Sequence, residues 1–490
     1  MESARETRTF DVIVVGGGGS GLAAAASAAE HGRKVLLLEK QPALGGTTGI
    51  AVGSYTASRT ALQRKAGIDD SPEAHAEDDA KFADPPIEAK NAEQLRPFFL
   101  SHAAETLDWL SGMGLVFHGP SPEPPNRVPR MHNVVPGAKA YIDALSSRFR
   151  RLGGTIDCNA EVEKLIIEGG AVRGVRASVR GHRREFMATH GVVLAAGDYA
   201  NAPEMIARFK GERFAAIEGI NVNSQGDGHR LVEQAGGRLV NMDVTYGPEL
   251  RFVPPPESPL RILSKLPSYG TPAKLLRRLM PLIPQALFAA VSKRLVVTWQ
   301  HPENSLFDDG AILVNRDGER FCDETAWPDR EIAVAAQPGK VAWIVLDQHL
   351  CERYSRWPCF ISTAPQIAYA YVDDYLRLRP DVAKSAQTLE SVAVRCGLPV
   401  PPLKQATRNM TDGRWVVMGP VKAYFTTTEG GAAIDRLFRL LTPSGEVIPG
   451  LYAVGQNGLG GQILWGHGLH IAWAITSGRL CGQVLGSGAK

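Results

Sequence analysis

From Asp11 to Lys40 the apolar positions fall in two short runs separated by a glycine turn and an alanine-rich stretch. That pattern predicts a strand, a tight turn, a helix and a second strand in one continuous βαβ unit. The three glycines of the pattern answer different needs: Gly16 lets the chain leave the strand sharply, Gly18 lets backbone approach a pyrophosphate, and Gly21 lets the helix pack close to the sheet. Gly19 and Ser20 open the helix, whose unsatisfied first-turn N–H groups and positive dipole end face the same phosphates. Glu39 closes the second strand 18 residues after Gly21 and is placed to accept hydrogen bonds from both ribose hydroxyls. A glycine turn alone also serves ordinary packing; here the strand, the helix and the terminal acid agree on a dinucleotide site.

The chain then runs Lys40-Gln41-Pro42-Ala43-Leu44-Gly45-Gly46-Thr47-Thr48, a second glycine turn carrying two hydroxyls that nothing in a nicotinamide enzyme requires. Here it resembles the fumarate reductase/succinate dehydrogenase flavoprotein superfamily, which carries EK-x-x-x-x-GG-[ST]-[ST] at this point. The resemblance implies non-covalent FAD, cradled by Lys40, Gly45, Gly46, Thr47 and Thr48. The βαβ unit by itself does not choose between dinucleotides.

With 490 residues the chain exceeds one ordinary core and predicts two domains. A net charge of +3 is too small to argue for nucleic acid, and 44% hydrophobic with 21% charged residues is a globular composition. The first ten residues hold no apolar core of a signal peptide, and no run reaches the length of a membrane span. The six cysteines are scattered without a CxxC. They read as packed thiols in a reduced cytoplasm and argue against a metal site, an iron–sulfur cluster or attached haem.

Further along, Ser71-Pro72-Glu73 starts a helix, Leu95 to Met113 has apolar residues at helical spacing, Pro120 to Arg130 is a proline-rich loop and Gly137 to Arg151 is helical again. Gly154 to Ala177 reads as strand, turn, strand. Within it Asn159 to Leu165 is either an ordinary meander or, by resemblance, the strand that meets adenine through the main chain at Val162. Gly191 to Tyr199 resembles the superfamily's VVLAAGGF strand, with Ala196 and Gly197 among the small residues against the dinucleotide and Asp198-Tyr199 replacing Gly-Phe. Asn223 to His229 resembles its TGDG turn, with Asp227 supporting the flavin-side loop.

Nucleotide signatures vanish from about Arg251 to Gly419, which implies an inserted domain. The fold class is therefore α/β: an FAD-binding Rossmann-like domain, 1–250 and 420–490, with an inserted α+β substrate-capping domain, 251–419. Gly310 to Glu324 matches the superfamily hairpin "GAI-x-VN-x-x-G-x-RF-x-x-E", and Val341 to Asp347 the strand after it. Between Glu257 and Glu303 there is no acid, while Arg261, Lys265, Lys274, Arg277, Arg278, Lys293 and Arg294 are interleaved with apolar residues. The stretch 258–302 reads either as a solvated hairpin or as a peripheral contact with an anionic membrane, which would put the protein at the inner face of that membrane.

The C-terminal return carries Thr426-Thr427-Thr428-Glu429-Gly430-Gly431, aligned with "HTMGG", and Pro449 to Gln456, aligned with "PGL-[YF]-A-x-G-[EN]". In the superfamily the second element brings Gly455 and Gln456 to the ribityl chain. A last helix, ending in Ser477-Gly478-Arg479-Leu480, begins at Leu469 and His470, and the resemblance implies that its dipole stabilises reduced flavin there.

Catalytic residues depart from both known branches. The histidine of "HTMGG" is Thr426 or Thr427, the carboxylate-binding arginine before the last helix aligns with Trp465, and the proton-donating arginine aligns with Pro328. Arg330, two residues on, is the candidate to replace that donor through a small shift, and is also readable as a surface ion-pair residue. A succinate or fumarate site needs cations on both carboxylates and is not supported. The ketosteroid-dehydrogenase branch supplies Gly466-x-Gly468, whose backbone N–H donates to a carbonyl, and a strand like Met242 to Tyr246, but its two tyrosines fall on Leu464 and Pro328. His467, between two glycines, is the leading base or donor and is equally readable as a bonded, non-transferring histidine. Tyr246 is a candidate for polarising a carbonyl, and His301 in Gln300-His301-Pro302 resembles a "Q-x-HP" substrate element.

The expectation is an FAD oxidoreductase dehydrogenating a CH–CH bond beside the carbonyl of an apolar cyclic ketone, with hydride to flavin N5 and electrons to an unidentified acceptor such as a quinone. An enoate or enone reductase running the reverse reaction and a flavin-bearing electron-transfer subunit are the alternatives.

Overall fold

The computed structural model describes residues 7–255, 268–272, 275, 293–294, 296–298, 301–364 and 368–487. The N-terminal pattern forms strand β1 (Thr7–Val15), helix α1 (Gly19–Glu30) and strand β2 (Val35–Glu39). The strands are parallel, with Val12 opposite Val35. Every residue of β2 is buried, which is why its apolar run is continuous and does not alternate.

The parallel sheet grows on both sides. Thr155–Cys158 joins beyond β2, His182–Leu194 lies beyond β1, and Val447–Ala453 pairs with His182–Leu194. The first and last parts of the chain thus build one layer, closed by the antiparallel edge strand Arg439–Leu441. Strands Ala160–Glu168 and Ala171–Val179 form a hairpin that continues antiparallel into His182–Leu194.

The C-terminal helix, Leu469–Ser487, packs along α1. Glycines allow that approach: a Cβ on Gly478 would stand 2.2 Å from the Ser20 carbonyl oxygen, and one on Gly482 2.6 Å from that of Ala24. The helix runs on past Leu480, where the sequence pattern ended it, because Cys481 and Leu485 remain buried there. Elsewhere the expected helices form at Pro72–Asp79, Leu95–Gly112 and Lys139–Arg151. Ser71 caps the first of these by accepting the Ala74 N–H, and Pro72 fills the first position, where no N–H is needed.

A second, largely antiparallel sheet is built around the long strand Trp415–Phe425. That strand pairs with Glu249–Phe252, Ala342–Leu346 and Ala383–Ala386. Its hydrophobic cluster is separate from that of the first sheet, and draws in Tyr199, Met205 and Ile217 from upstream of residue 251. The stretch Gly310 to Glu324 turns back on itself, Val314 bridging to Arg320, with Glu324 accepting the Leu313 N–H at 2.9 Å.

Most of the basic stretch 258–302, and with it the expected membrane contact, lies outside the described residues. Among the described residues no helix is long and apolar enough to cross a membrane. The helix contact at Gly478 gives a direct test: Gly478→Val should cost about 1–3 kcal/mol, seen as a lower melting temperature. An unchanged melting temperature would mean that the two helices do not touch there.

Candidate active site

The two glycine turns meet at the carboxyl end of the parallel sheet. Gly18 bridges to Gly45, and the Gly45 N–H donates to the Gly17 carbonyl at 3.1 Å. Gly16 (φ +109°) and Gly21 are packing requirements, since a Cβ would stand 2.4 Å from the Ala195 carbonyl oxygen and 1.9 Å from that of Gly16. Gly18 is different. Its φ of −79° suits any residue, and a Cβ there would meet nothing nearer than 3.8 Å. Its bare face is therefore not demanded by the fold.

Helix α1 has no side-chain cap, so its first N–H groups are available to an anion. Beside that turn the Glu39 carboxylate is fixed by the Gly17 and Gln41 N–H groups, each at 2.7 Å. Gly19 packs on Thr48, since a Cβ would lie 2.7 Å from its hydroxyl. Thr47 accepts from the Asn221 amide at 2.9 Å. Lys40 pairs with Asp227 at 2.5 Å, tying the second glycine turn to the expected turn at 223–229.

The elements expected to hold the flavin converge on the same edge. The Ala196 N–H points at Asn457 Oδ1 at 3.4 Å, and Asn457 Nδ2 is buried without a partner among the described residues. Gly197 has a φ of +80° and open space around it. Gly455 donates its N–H to Ser477, and a Cβ on it would stand 2.5 Å from the Ser20 hydroxyl. Gln456 donates to the Thr427 hydroxyl at 3.0 Å and the Thr428 carbonyl at 2.8 Å, while Thr427 donates to Asp198 at 2.6 Å. Val162 is half-buried on the hairpin strand Ala160–Glu168. An uncapped helix end, an acid at the strand end and an orphaned buried amide suit FAD.

At the foot of the C-terminal helix Leu469 is buried, and His470 Nε2 meets the fully buried Glu429 at 2.8 Å. Burial works to lower the His470 pKa, but the Glu429 carboxylate outweighs it and the net direction is upward. The Gly466-His467-Gly468 turn is pinned on strand Ser54–Thr56. Thr56 donates to the His467 carbonyl at 2.6 Å, and Gly468, at φ +85°, lies too close to Ser54 for a Cβ.

The His467 side chain is 65% exposed and feels the charges of Glu249 and Arg251 on the second sheet, and the space between them is the candidate substrate cleft. Glu123 Oε1 accepts the His467 backbone N–H at 2.9 Å and also bonds its Nδ1. That hydrogen bond raises the His467 pKa, helped by the charges of Glu123 and Glu249. On the opposite wall Glu249 accepts from Arg251 at 2.9 Å and from Thr426 at 3.5 Å, with His301 Nδ1 at 3.8 Å. Burial works to raise the Glu249 pKa, yet His301 and Arg251 hold it below the usual range. Tyr246 stands edge-on to Trp465, ring centres 5.5 Å apart, and burial pushes its pKa up to about 12, which keeps it a neutral donor.

Arg330 has a different setting from the one expected of a proton donor. It is buried, donates twice to Glu331 and once each to the Glu324 carbonyl and Asn304, and lies over the Phe307 ring at 4.4 Å. Its N–H groups are committed to tying the Gly310–Glu324 turn to helix Asp329–Ala336. The residues that the sequence reading missed are Glu123, Glu249, Arg251 and Glu429. Glu249 and Arg251 are two apart on a strand and share a face, and Glu429 replaces the methionine of "HTMGG". No spacing links Glu123, in a proline-rich loop, to His467.

A family model described as "FAD binding domain" matches residues 11–263. Among curated proteins the chain is similar to a fumarate reductase (cytochrome) of Shewanella frigidimarina, with 27% identity over 97% of this chain and 76% of that one. Among solved structures it is similar to the open conformation of a flavocytochrome c3 fumarate reductase, with a TM-score of 0.73, 23% identity, and 98% and 78% of the two chains covered. It is also similar to a 3-ketosteroid delta1-dehydrogenase from Sterolibacterium denitrificans, with a TM-score of 0.66, 18% identity, and 98% and 100% covered.

The two glycines separate binding from folding. Gly18→Ala should leave the melting temperature of the FAD-free protein unchanged while weakening FAD binding about tenfold or more, measured by fluorescence titration. Gly21→Ala should lower both. Undiminished FAD affinity in Gly18→Ala would exclude pyrophosphate from that face.

Proposed function

The chain belongs to the FAD binding domain family, and from that membership we propose that it dehydrogenates a CH–CH bond beside the carbonyl of an apolar, cyclic ketone. It is an FAD-dependent oxidoreductase of the fumarate reductase/succinate dehydrogenase flavoprotein superfamily. FAD, when bound, supplies the hydride acceptor. We assign its binding to Gly16, Gly18, Gly19, Ser20, Gly21, Glu39, Lys40 and the Gly45–Thr48 turn, with Val162, Ala196, Gly197, Asp227, Gly455, Gln456, Leu469 and His470 completing the site. Residues 251–419 act as the cap over the substrate, and a quinone is the acceptor that would suit the stretch 258–302 if that stretch meets a membrane.

The observation that carries the substrate reading is the charge balance of the cleft. Carboxylates Glu123 and Glu249 face His467 and Arg251, and the position of a carboxylate-clamping arginine is taken by Trp465, packed edge-to-face with Tyr246. A dicarboxylate would meet two like charges there. A neutral ring meets an aromatic wall. In this reading the Gly468 N–H and the Tyr246 hydroxyl hold the carbonyl oxygen as negative charge develops, and His467 Nε2 takes the α-proton. The reverse reaction, an enone or enoate reductase, is favoured by one feature: the Glu123 pairing that raises the His467 pKa favours the imidazolium form, the one with a proton to give.

Titrating the oxidised protein anaerobically with cyclic ketones, 3-ketosteroids and short-chain acids tests this. A ketone should bleach the flavin. If none does, and reduced protein is reoxidised by an enone or enoate, the reductase reading replaces it; silence in both directions would leave an electron-transfer subunit. As a base His467 must be neutral, so bleaching should accelerate as pH rises through its raised pKa, while the reverse reaction slows over the same range. His467→Gln should slow bleaching about 10²- to 10⁴-fold.

A further inference from the structure

We propose that Glu123 is a positioning residue for His467: one carboxylate oxygen fixes both the backbone and the ring of that histidine, so that Nδ1 carries a hydrogen and Nε2 is presented to the cleft. Glu123 comes from the proline-rich loop, far from His467 in sequence, and its side chain is only 9% exposed. Its Oε1 accepts the His467 N–H at 2.9 Å and bonds Nδ1. Its Oε2 is buried with no hydrogen-bond partner among the described residues. A buried carboxylate is costly unless paired with a cation, and both of the hydrogen bonds at the Glu123 carboxylate run to His467.

The pairing decides two properties at once. The bond at Nδ1 selects the tautomer in which Nε2 has the free lone pair, so the neutral ring is a base toward the cleft. The adjacent negative charge stabilises the imidazolium that forms when Nε2 takes a proton. The other charged or titratable groups acting on the ring come from the opposite wall: Glu249 adds to this effect, and Arg251 and His301 oppose it. A purely structural Glu123, holding only the Gly466–Gly468 turn through the backbone N–H, would need an acceptor and no charge.

The inference rests on the reading of His467 as the proton-transfer group, and the test separates the two. FAD-loaded, full-length protein carrying ¹³Cε1-labelled histidine is followed by NMR across pH, the His467 signal being the one lost in His467→Gln. Its midpoint should lie above the ordinary 6.5. In Glu123→Gln, which keeps an acceptor oxygen and removes the charge, the midpoint should fall by about one pH unit or more. An unmoved midpoint in a Glu123→Gln protein with unaltered flavin absorbance and melting temperature would overturn the proposal, leaving the catalytic reading of His467 standing. If Glu123→Gln does not fold, Glu123→Asp should lower the midpoint by less, and a midpoint at or above that of the wild type would overturn it equally. Full ketone bleaching by His467→Gln would instead remove the catalytic role on which positioning depends.

Discussion

Everything at the nucleotide edge depends on backbone-to-backbone contact that only glycine permits. Gly21 against the Gly16 carbonyl holds α1 on the sheet, Gly16 against Ala195 seats β1 beside the strand that ends at Leu194, and Gly478 against Ser20 seats the C-terminal helix on α1. These contacts bring chain segments near residues 16, 39, 195, 455 and 469 to one edge of one sheet. Because the closest atoms are backbone carbonyls, which cannot swing aside as a side chain can, the geometry has little slack. The bare face at Gly18, by contrast, lies on this rigid frame without being part of its packing.

The same frame determines what the cleft can recognise. The Gly466–Gly468 turn is anchored on Ser54–Thr56 and precedes the C-terminal helix directly, so His467 is held at the start of that helix while the strand carrying Glu249 and Arg251 comes from the second sheet. Two carboxylates, an arginine and two histidines share this space with the Tyr246–Trp465 pair. Each ionised group has a partner of opposite charge. Little net positive charge remains to draw in an anionic substrate, which is what supports the proposal of an apolar body bearing one carbonyl oxygen.

The nucleotide half was legible because each of its requirements is local. A turn, a helix start and a terminal acid sit within about thirty residues, and each glycine has one steric reason. The second sheet was visible only through the Gly310–Glu324 match and the strand after it; its central strand, Trp415–Phe425, lies at the far end of the stretch that appeared to lack signatures. The proposed catalytic cluster was least legible. Glu123 and His467 are 344 residues apart, and nothing in a proline-rich loop announces a buried acid. Arg330 shows the opposite difficulty: position near a motif suggested chemistry, while its surroundings of Glu331, Asn304 and Phe307 make it structural.

The central claim is that the cleft is built for a neutral carbonyl ring. It is tested most directly by adding non-reacting ligands to the oxidised, FAD-loaded protein and watching the flavin absorbance bands. A cyclic enone or a phenol of similar shape should perturb the bands saturably, and a small dicarboxylate such as malonate should not do so at the same concentrations. Saturable binding of the dicarboxylate, with no response to the ring compounds, would contradict the account.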